Sequence, residues 1–265
     1  LHTITKVSQQ KRNKNRLNIY LDGTYGLSVS DETYIKFHLY KGKQLSKEEL
    51  EKIIEDDQLH QAYVLSIRYL SYRMRTEREM RLYLQKKELE SFVIDKVIER
   101  LYKEKLIDDQ AFANAFVNDR IERSSKGPQL IEQELREKGV APQFITEALR
   151  KFSREKQIDR AYTLAEKELQ KRSNRPYRRR LEQLQARLIR RGYPSDITRE
   201  VISFLPNKQD EDEEFNLLKK EADKLYTRYK KKYNDTYELK MRMKQRLYNR
   251  GFTLDQIDSY LNSLE

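Results

Sequence analysis

The chain has no cysteine, so no disulfide framework holds it together, which fits a reducing compartment. Its three histidines, His2, His38 and His60, share no metal-ligand spacing, and no glycine-rich phosphate loop appears. With neither thiol, metal cluster nor nucleotide cradle, the sequence points away from an enzyme and from any cofactor. No apolar run reaches the roughly 18 residues of a membrane span. The opening LHTITKVSQQ also lacks the apolar core of a signal peptide, so a cytoplasmic chain is expected. Glycine and proline are scarce, at 7 and 5 of 265 residues, which argues for helices. Gly23, Gly26 and Gly42 lie near the start, and the remaining four glycines fall at expected helix junctions.

What the sequence does contain is a repeat. The stretch GPQLIEQELREKGV, extended from Ile131 through Phe152, aligns with Met80–Leu101, Leu184–Leu205 and Met243–Leu264. Each copy opens with an apolar pair four residues apart, the spacing of one helix face: Met80 and Leu84, Ile131 and Leu135, Leu184 and Leu188, Met243 and Leu247. A basic residue follows, Lys87, Lys138, Arg191 or Arg250, and then a glycine in three copies, Gly139, Gly192 and Gly251. A glycine there suits the left-handed residue that caps a helix C-terminus. In such a Schellman stop the second residue past the helix packs on the last turn, which pairs Leu135 with Val140, Leu188 with Tyr193, Leu247 with Phe252 and Leu84 with Leu89. The first copy carries Glu88 in place of glycine, and a left-handed residue with a side chain costs on the order of 1 kcal/mol; that helix is expected to end differently.

A second helix follows each stop, and an amphipathic segment precedes each pair, at about 57–72, 109–123, 155–172 and 211–233. The unit is therefore three helices. Thr76 with Glu79, Asp235 with Glu238 and Thr253 with Gln256 have capping-box spacing, and Pro128 and Pro176 sit near first turns. The organisation expected is an N-terminal β-rich domain, 1–45, and four helical modules, 46–106, 107–153, 154–207 and 208–265. Modules in series bury surface mainly against neighbours, so the fold class is mainly α, tandem three-helix modules in an elongated curved array. In the first domain, RLNIYLDGTYGLSV alternates about Asp22-Gly23, a strong hairpin signal, TITKVSQQ can supply a third strand, and Ser46 with Glu49 caps the long helix that follows.

The 55 Lys and Arg exceed the 43 Asp and Glu, giving a net charge of +12, the footprint of a partner rich in phosphate or carboxylate. The excess concentrates between Lys167 and Arg191, where basic residues that include Arg172, Arg178, Arg179 and Arg180 meet only Glu168 and Glu182. Phosphate contact is one reading and a solvated helix face the other. A second basic run, 219–233, follows an acidic linker at 210–214. Tyr226, Tyr229, Tyr233 and Tyr237 have the spacing of one helix face and are assigned to the core. The Asp108-Asp109 doublet could be imagined on a metal, but it sits where Asp109 would cap a helix starting near Gln110.

LIDDQAFANAFVNDR (106–120) followed by KGPQLIEQELREKGV (126–140) closely resembles the signature of the RecX family, bacterial regulators of the recombinase RecA. The match is strongest over 70–152, and the weaker repeats with the strand-rich start resemble the family's longer form. The resemblance implies a monomeric, non-enzymatic protein that binds along the RecA filament and limits its growth, strand exchange, ATP hydrolysis and coprotease activity. It implies RecA and single- or double-stranded DNA as partners, and neither a membrane nor a small-molecule substrate. Lys87, Lys138, Arg191 and Arg250 recur before the stops as a possible ladder of charge, or as cations favourably placed at helix C-termini. Lys126 and Arg178, Arg179 and Arg180 are the partner or phosphate candidates that caps do not explain. Two rival readings are a general nucleic-acid-binding helical repeat protein that acts by DNA competition, and an adaptor working through the N-terminal sheet edge.

Overall fold

The computed structural model describes residues 1–11, 13–171, 173–206, 211–233 and 235–263. Arg172, Asp210 and Leu264, which belong to the expected basic run, linker and repeat, lie outside the described residues. The described chain forms two compact units: Leu1–Ala115 with Leu135–Ala148, and Phe116–Glu134 with Leu149–Glu265.

The first unit begins with a four-stranded antiparallel sheet built from β1 (His2–Gln9), β2 (Arg16–Leu21), β3 (Thr24–Ser30) and β4 (Gln44–Leu45), in the order β3-β2-β1-β4. Asp22 and Gly23 both take positive φ, 51° and 90°, and Leu21 faces Thr24, the two-residue turn whose twist matches the strands it joins. The short β4 and the helix α1 (Asp31–Lys36) are not foreshadowed by the alternation in the sequence. Ile4, Ile19, Val29, Leu39 and Leu45 close over Ile53 of α2 (Lys47–Leu70). Buried Asp57 fixes that helix to the sheet by accepting from Arg16 at 2.9 Å and the Ser30 N–H at 2.6 Å. The capping boxes at Ser46 with Glu49 and Thr76 with Glu79 are both formed. Helices α3 (Glu77–Gln85) and α4 (Ser91–Lys103) pack Met80, Leu84, Val93, Val97, Ile98 and Leu101 against Ala62.

Three more triplets follow in the element order: α5 (Asp109–Arg123), α6 (Pro128–Glu137) and α7 (Pro142–Leu149); α8 (Arg154–Leu169), α9 (Tyr177–Arg190) and α10 (Ser195–Phe204); α11 (Glu211–Tyr229), α12 (Thr236–Arg250) and α13 (Leu254–Asn262). The middle helix of each ends on the expected stop. Gly139, Gly192 and Gly251 have φ of 79°, 86° and 107°. The N–H groups of Val140, Tyr193 and Phe252 reach back to the carbonyls of Leu135, Leu188 and Leu247 at 3.1, 3.1 and 3.3 Å.

Three expectations are corrected. Glu88 also adopts the left-handed conformation, φ 60°, and its N–H bonds the Gln85 carbonyl, so α3 shares the left-handed cap residue; the Leu89 N–H, however, makes no bond to the Leu84 carbonyl among the described residues, and to that extent the stop differs as expected. Packing of Leu89 against the core compensates the backbone cost. The tyrosines share no single face, because α11 ends at Tyr229 and Asp235 starts a new helix: Tyr229 and Tyr233 pack on the core of the last triplet, while Tyr226 and Tyr237 are exposed. The described part of the acidic linker, Glu211 to Glu214, is the first turn of α11, where negative charge favours the helix dipole. Asp235 caps α12 through the Tyr237 N–H, while Glu238 lies 3.7 Å from Arg242.

Candidate functional site

The stops of the middle helices do more than end them. In the first unit, Thr76 Oγ1 at the start of α3 donates to the Lys138 carbonyl at 2.8 Å, and Arg78 donates to the Glu137 carbonyl at 3.1 Å. In the second unit, the Gly127 N–H just before α6 donates to the Arg191 carbonyl at 2.6 Å, and the Gln129 N–H to the Gly192 carbonyl at 3.1 Å. There too, Arg179 at the start of α9 reaches the Asn249 carbonyl at 3.4 Å. Thus the first turn of one middle helix meets the last carbonyls of the next one, three times over. A helix C-terminus has unpaired acceptors and a partial negative charge, and an N-terminus supplies donors, so the two ends are chemically complementary.

This joint gives the glycines a second role. A Cβ at Gly139 would collide with the Arg78 side chain, one at Gly192 would stand 2.6 Å from the Leu130 nitrogen, and one at Gly251 would be 3.2 Å from the Arg179 Cβ. Gly127 is closed off likewise by the backbone of Gly192. Glu88 is exposed, and its side chain can therefore stay.

A carboxylate from the outer helix of the following triplet completes two of the joints. The Asp108-Asp109 doublet divides its work: Asp108 caps its own helix through the Ala111 N–H at 2.8 Å, whereas Asp109 accepts from the Glu77 N–H at 2.9 Å and caps α3. Glu214 does the same for α9, taking the Tyr177 N–H on both oxygens at 3.0 and 3.2 Å. Both acids are buried, and burial raises their pKa above the usual carboxylate range despite the hydrogen bond. At α6 the first helical residue is Pro128, which has no N–H to satisfy. The sequence marks Asp109 as a cap but for the wrong helix, and Glu214 is one of five consecutive acids, 210–214, with nothing local to single it out.

Several predicted contact residues are occupied inside the fold. Lys138 pairs with Glu79 at 2.9 Å. Burial would raise the Glu79 pKa, but hydrogen bonds from Arg73 and Lys138 outweigh it and hold the carboxyl at about 2. Arg250 pairs with Glu221, and Lys126 with Glu134, which Arg120 also contacts at 2.9 Å. Arg180 donates to the Leu169 and Lys171 carbonyls at the end of α8, Arg179 pairs with Glu182 at 2.5 Å, and Arg178 lies over the Tyr248 ring at 4.8 Å. Arg178, Arg179 and Arg180 thus each have a partner within the fold, and of the four recurring cations Lys138 and Arg250 are ion-paired. Lys87 is exposed, 5.7 Å above the Tyr83 ring, and Arg191 is half-buried near enough to Glu168 to help lower that acid's pKa after the Lys171 hydrogen bond. Among the described residues no group of three or more metal-ligating side chains comes together, and no helix is long and apolar enough to cross a membrane.

Family models match four stretches: the regulatory protein RecX N-terminal domain over 2–46, and the first, second and third three-helix domains of RecX over 62–101, 108–149 and 211–261. The α8–α10 triplet lies between the last two spans. The chain is 40% identical to regulatory protein RecX of Oceanobacillus iheyensis, with 98% of this chain and 97% of that one covered. It is 37% identical to its namesake in Halalkalibacterium halodurans, with 98% of each covered. A crystal structure of regulatory protein RecX superposes with a TM-score of 0.65 at 35% identity, over 77% of this chain and all of the other. RecX from Lactobacillus salivarius superposes at 0.54 and 28% identity, over 56% of this chain and 96% of the other.

Proposed function

The chain belongs to the RecX family of regulatory proteins, and on that premise we propose that it is a non-enzymatic inhibitor of the recombinase RecA, acting on the RecA nucleoprotein filament. It limits the filament's extension, ATP hydrolysis, strand exchange and coprotease activity. The observation that carries this reading is the joint repeated three times, in which one middle helix starts on the end of the next. A filament offers identical subunits in succession, and a chain of like triplets coupled by like joints can offer each subunit a similar contact. Weak contacts then add through effective concentration. Each of the triplets in 46–106, 107–153, 154–207 and 208–265 is on this reading one step along the polymer.

The second reading, inhibition by competition for DNA, is favoured by exposed cations such as Arg175 and Arg190 in the third triplet. The deciding experiment is a titration of the DNA-stimulated ATPase of RecA with this protein far below one molecule per RecA, with DNA sites in excess. Inhibition at low ratios supports the filament as the target; no effect until the DNA is saturated transfers the activity to charge. A chain truncated before Glu211, which loses one step, should inhibit less, and undiminished inhibition would sink the repeat argument.

A further inference from the structure

The cations of the second unit fall into two classes, and only one is spent on the fold. Arg178, Arg179, Arg180 and Arg250 are held by internal partners. Arg160 and Lys167, by contrast, make no ion pair among the described residues, and both face a cleft of about 570 Å³ between the end of α5 and one face of α8. Lys156 joins them one turn before Arg160, since 156, 160, 163 and 167 recur at helical spacing. From the opposite wall comes Arg123, which is 3.4 Å from Asp119 but largely exposed.

The floor of this cleft is Tyr193, the residue that also closes the α9 stop, and it is 1% exposed. The Tyr193 hydroxyl makes no hydrogen bond among the described residues and is not sealed from solvent, so a ligand in the cleft can reach it; Arg160 is close enough to oppose the effect of burial on it. Ser125 adds another hydroxyl at the rim. Unpaired Arg160 and Lys167 on one wall, Arg123 on the other and the Tyr193 hydroxyl at the floor match a ligand that brings several acceptor oxygens and negative charge.

We propose that this cleft is a phosphate-binding site, receiving the phosphate groups of a nucleic-acid backbone or of a free nucleotide. The volume suits a phosphate with its attached sugar rather than a bare ion. Glu122 and Asp159 also line it, so a ligand must place its charge against Arg160 and Lys167 and not merely approach a positive surface. The site adjoins the α6–α9 joint through Tyr193 but does not depend on the RecA reading.

The test uses the full chain with two probes, inorganic pyrophosphate followed by calorimetry and a fluorescein-labelled oligothymidylate followed by anisotropy over a range of salt. Arg160→Gln should weaken binding about tenfold and lower the salt slope of the oligonucleotide by about 1. Tyr193→Phe keeps the packing and should cost about three- to tenfold, the worth of one hydrogen bond. Lys52→Gln, an exposed cation of α2 outside the cleft, should change affinity by less than about twofold. If Arg160→Gln does not fold, Lys167→Gln on the exposed side of α8 carries the same expectation. Pyrophosphate binding with this pattern assigns the cleft to free phosphates, and binding of the oligonucleotide alone with this pattern assigns it to the backbone. Failure of both probes to bind, or equal losses at Lys52 and Arg160, overturns the proposal.

Discussion

The backbone nitrogen of Leu130 lies 2.6 Å from where a side chain at Gly192 would begin, so the stop of α9 and the first turn of α6 touch through a missing Cβ. Gly192→Ala therefore meets two penalties, about 1–2 kcal/mol for a left-handed alanine and about 1–3 kcal/mol for the steric conflict. Urea unfolding should show a loss of roughly 2–4 kcal/mol.

The contrast at the first stop separates the two penalties. Glu88 is left-handed but exposed, so only the backbone term applies. Glu88→Gly should stabilise the chain by up to about 1 kcal/mol. A loss of stability on the same urea curves would mean that the Glu88 side chain makes a contact the fold needs.

Buried Asp109 carries a cost of its own at neutral pH. Its folded pKa is raised by burial, so its contribution is complete below the unfolded value of 3.8 and is lost as pH rises through the folded pKa. Asp109→Asn retains the acceptor for the Glu77 N–H without the buried charge, and should be neutral or stabilising at pH 7. Asp109→Ala leaves that N–H unpaired and should cost about 1–2 kcal/mol. Thermal unfolding of the two variants at pH 7 and at acid pH decides: equal behaviour would show that the cap is irrelevant.

Glu79 has the opposite sign. Held at about 2 against an ordinary 4.5, it contributes stability that is present above 4.5 and disappears as pH falls toward 2. Glu79→Gln should cost on the order of 2–3 kcal/mol at pH 7 and flatten the acid limb of the stability curve between those values. An unchanged acid limb in the variant would remove Glu79 from the account.

These four positions also show what the sequence could disclose. Capping boxes, glycine stops and their apolar pairs are local, with partners within about six residues, and they read directly from spacing. The joints are not local: Thr76 meets Lys138 and Tyr177 meets Glu214, pairs that no periodicity marks. A local rule gave Asp109 to the nearest helix although its neighbour Asp108 already served there. The tyrosines misled because helical spacing ran on by coincidence through a turn, where Asp235 offered the next helix a cap. The phosphate-candidate cleft has no signal in the sequence for a related reason: arginine density peaks at 178–180, whereas what matters for a ligand is which cations the fold leaves unpaired.

That distinction yields a comparison among the basic residues themselves. Arg180 bonds the last carbonyls of α8, and hydrogen bonds from a charged donor are worth about 1.5–3 kcal/mol. Arg180→Ala should therefore lower stability by about that amount, while its effect on RecA inhibition, once scaled to the folded fraction, should be small. Lys87 sits exposed over Tyr83 beside the first stop, so Lys87→Ala should leave stability within about 0.5 kcal/mol. If the exposed rungs meet the filament, Lys87→Ala should raise the concentration needed for half-inhibition of the RecA ATPase by several-fold. Measuring both quantities for both variants separates them cleanly: a Lys87 variant as potent as the parent, beside an Arg180 variant that folds normally yet fails to inhibit, would return the arginine cluster to the contact surface and take the ladder out of it.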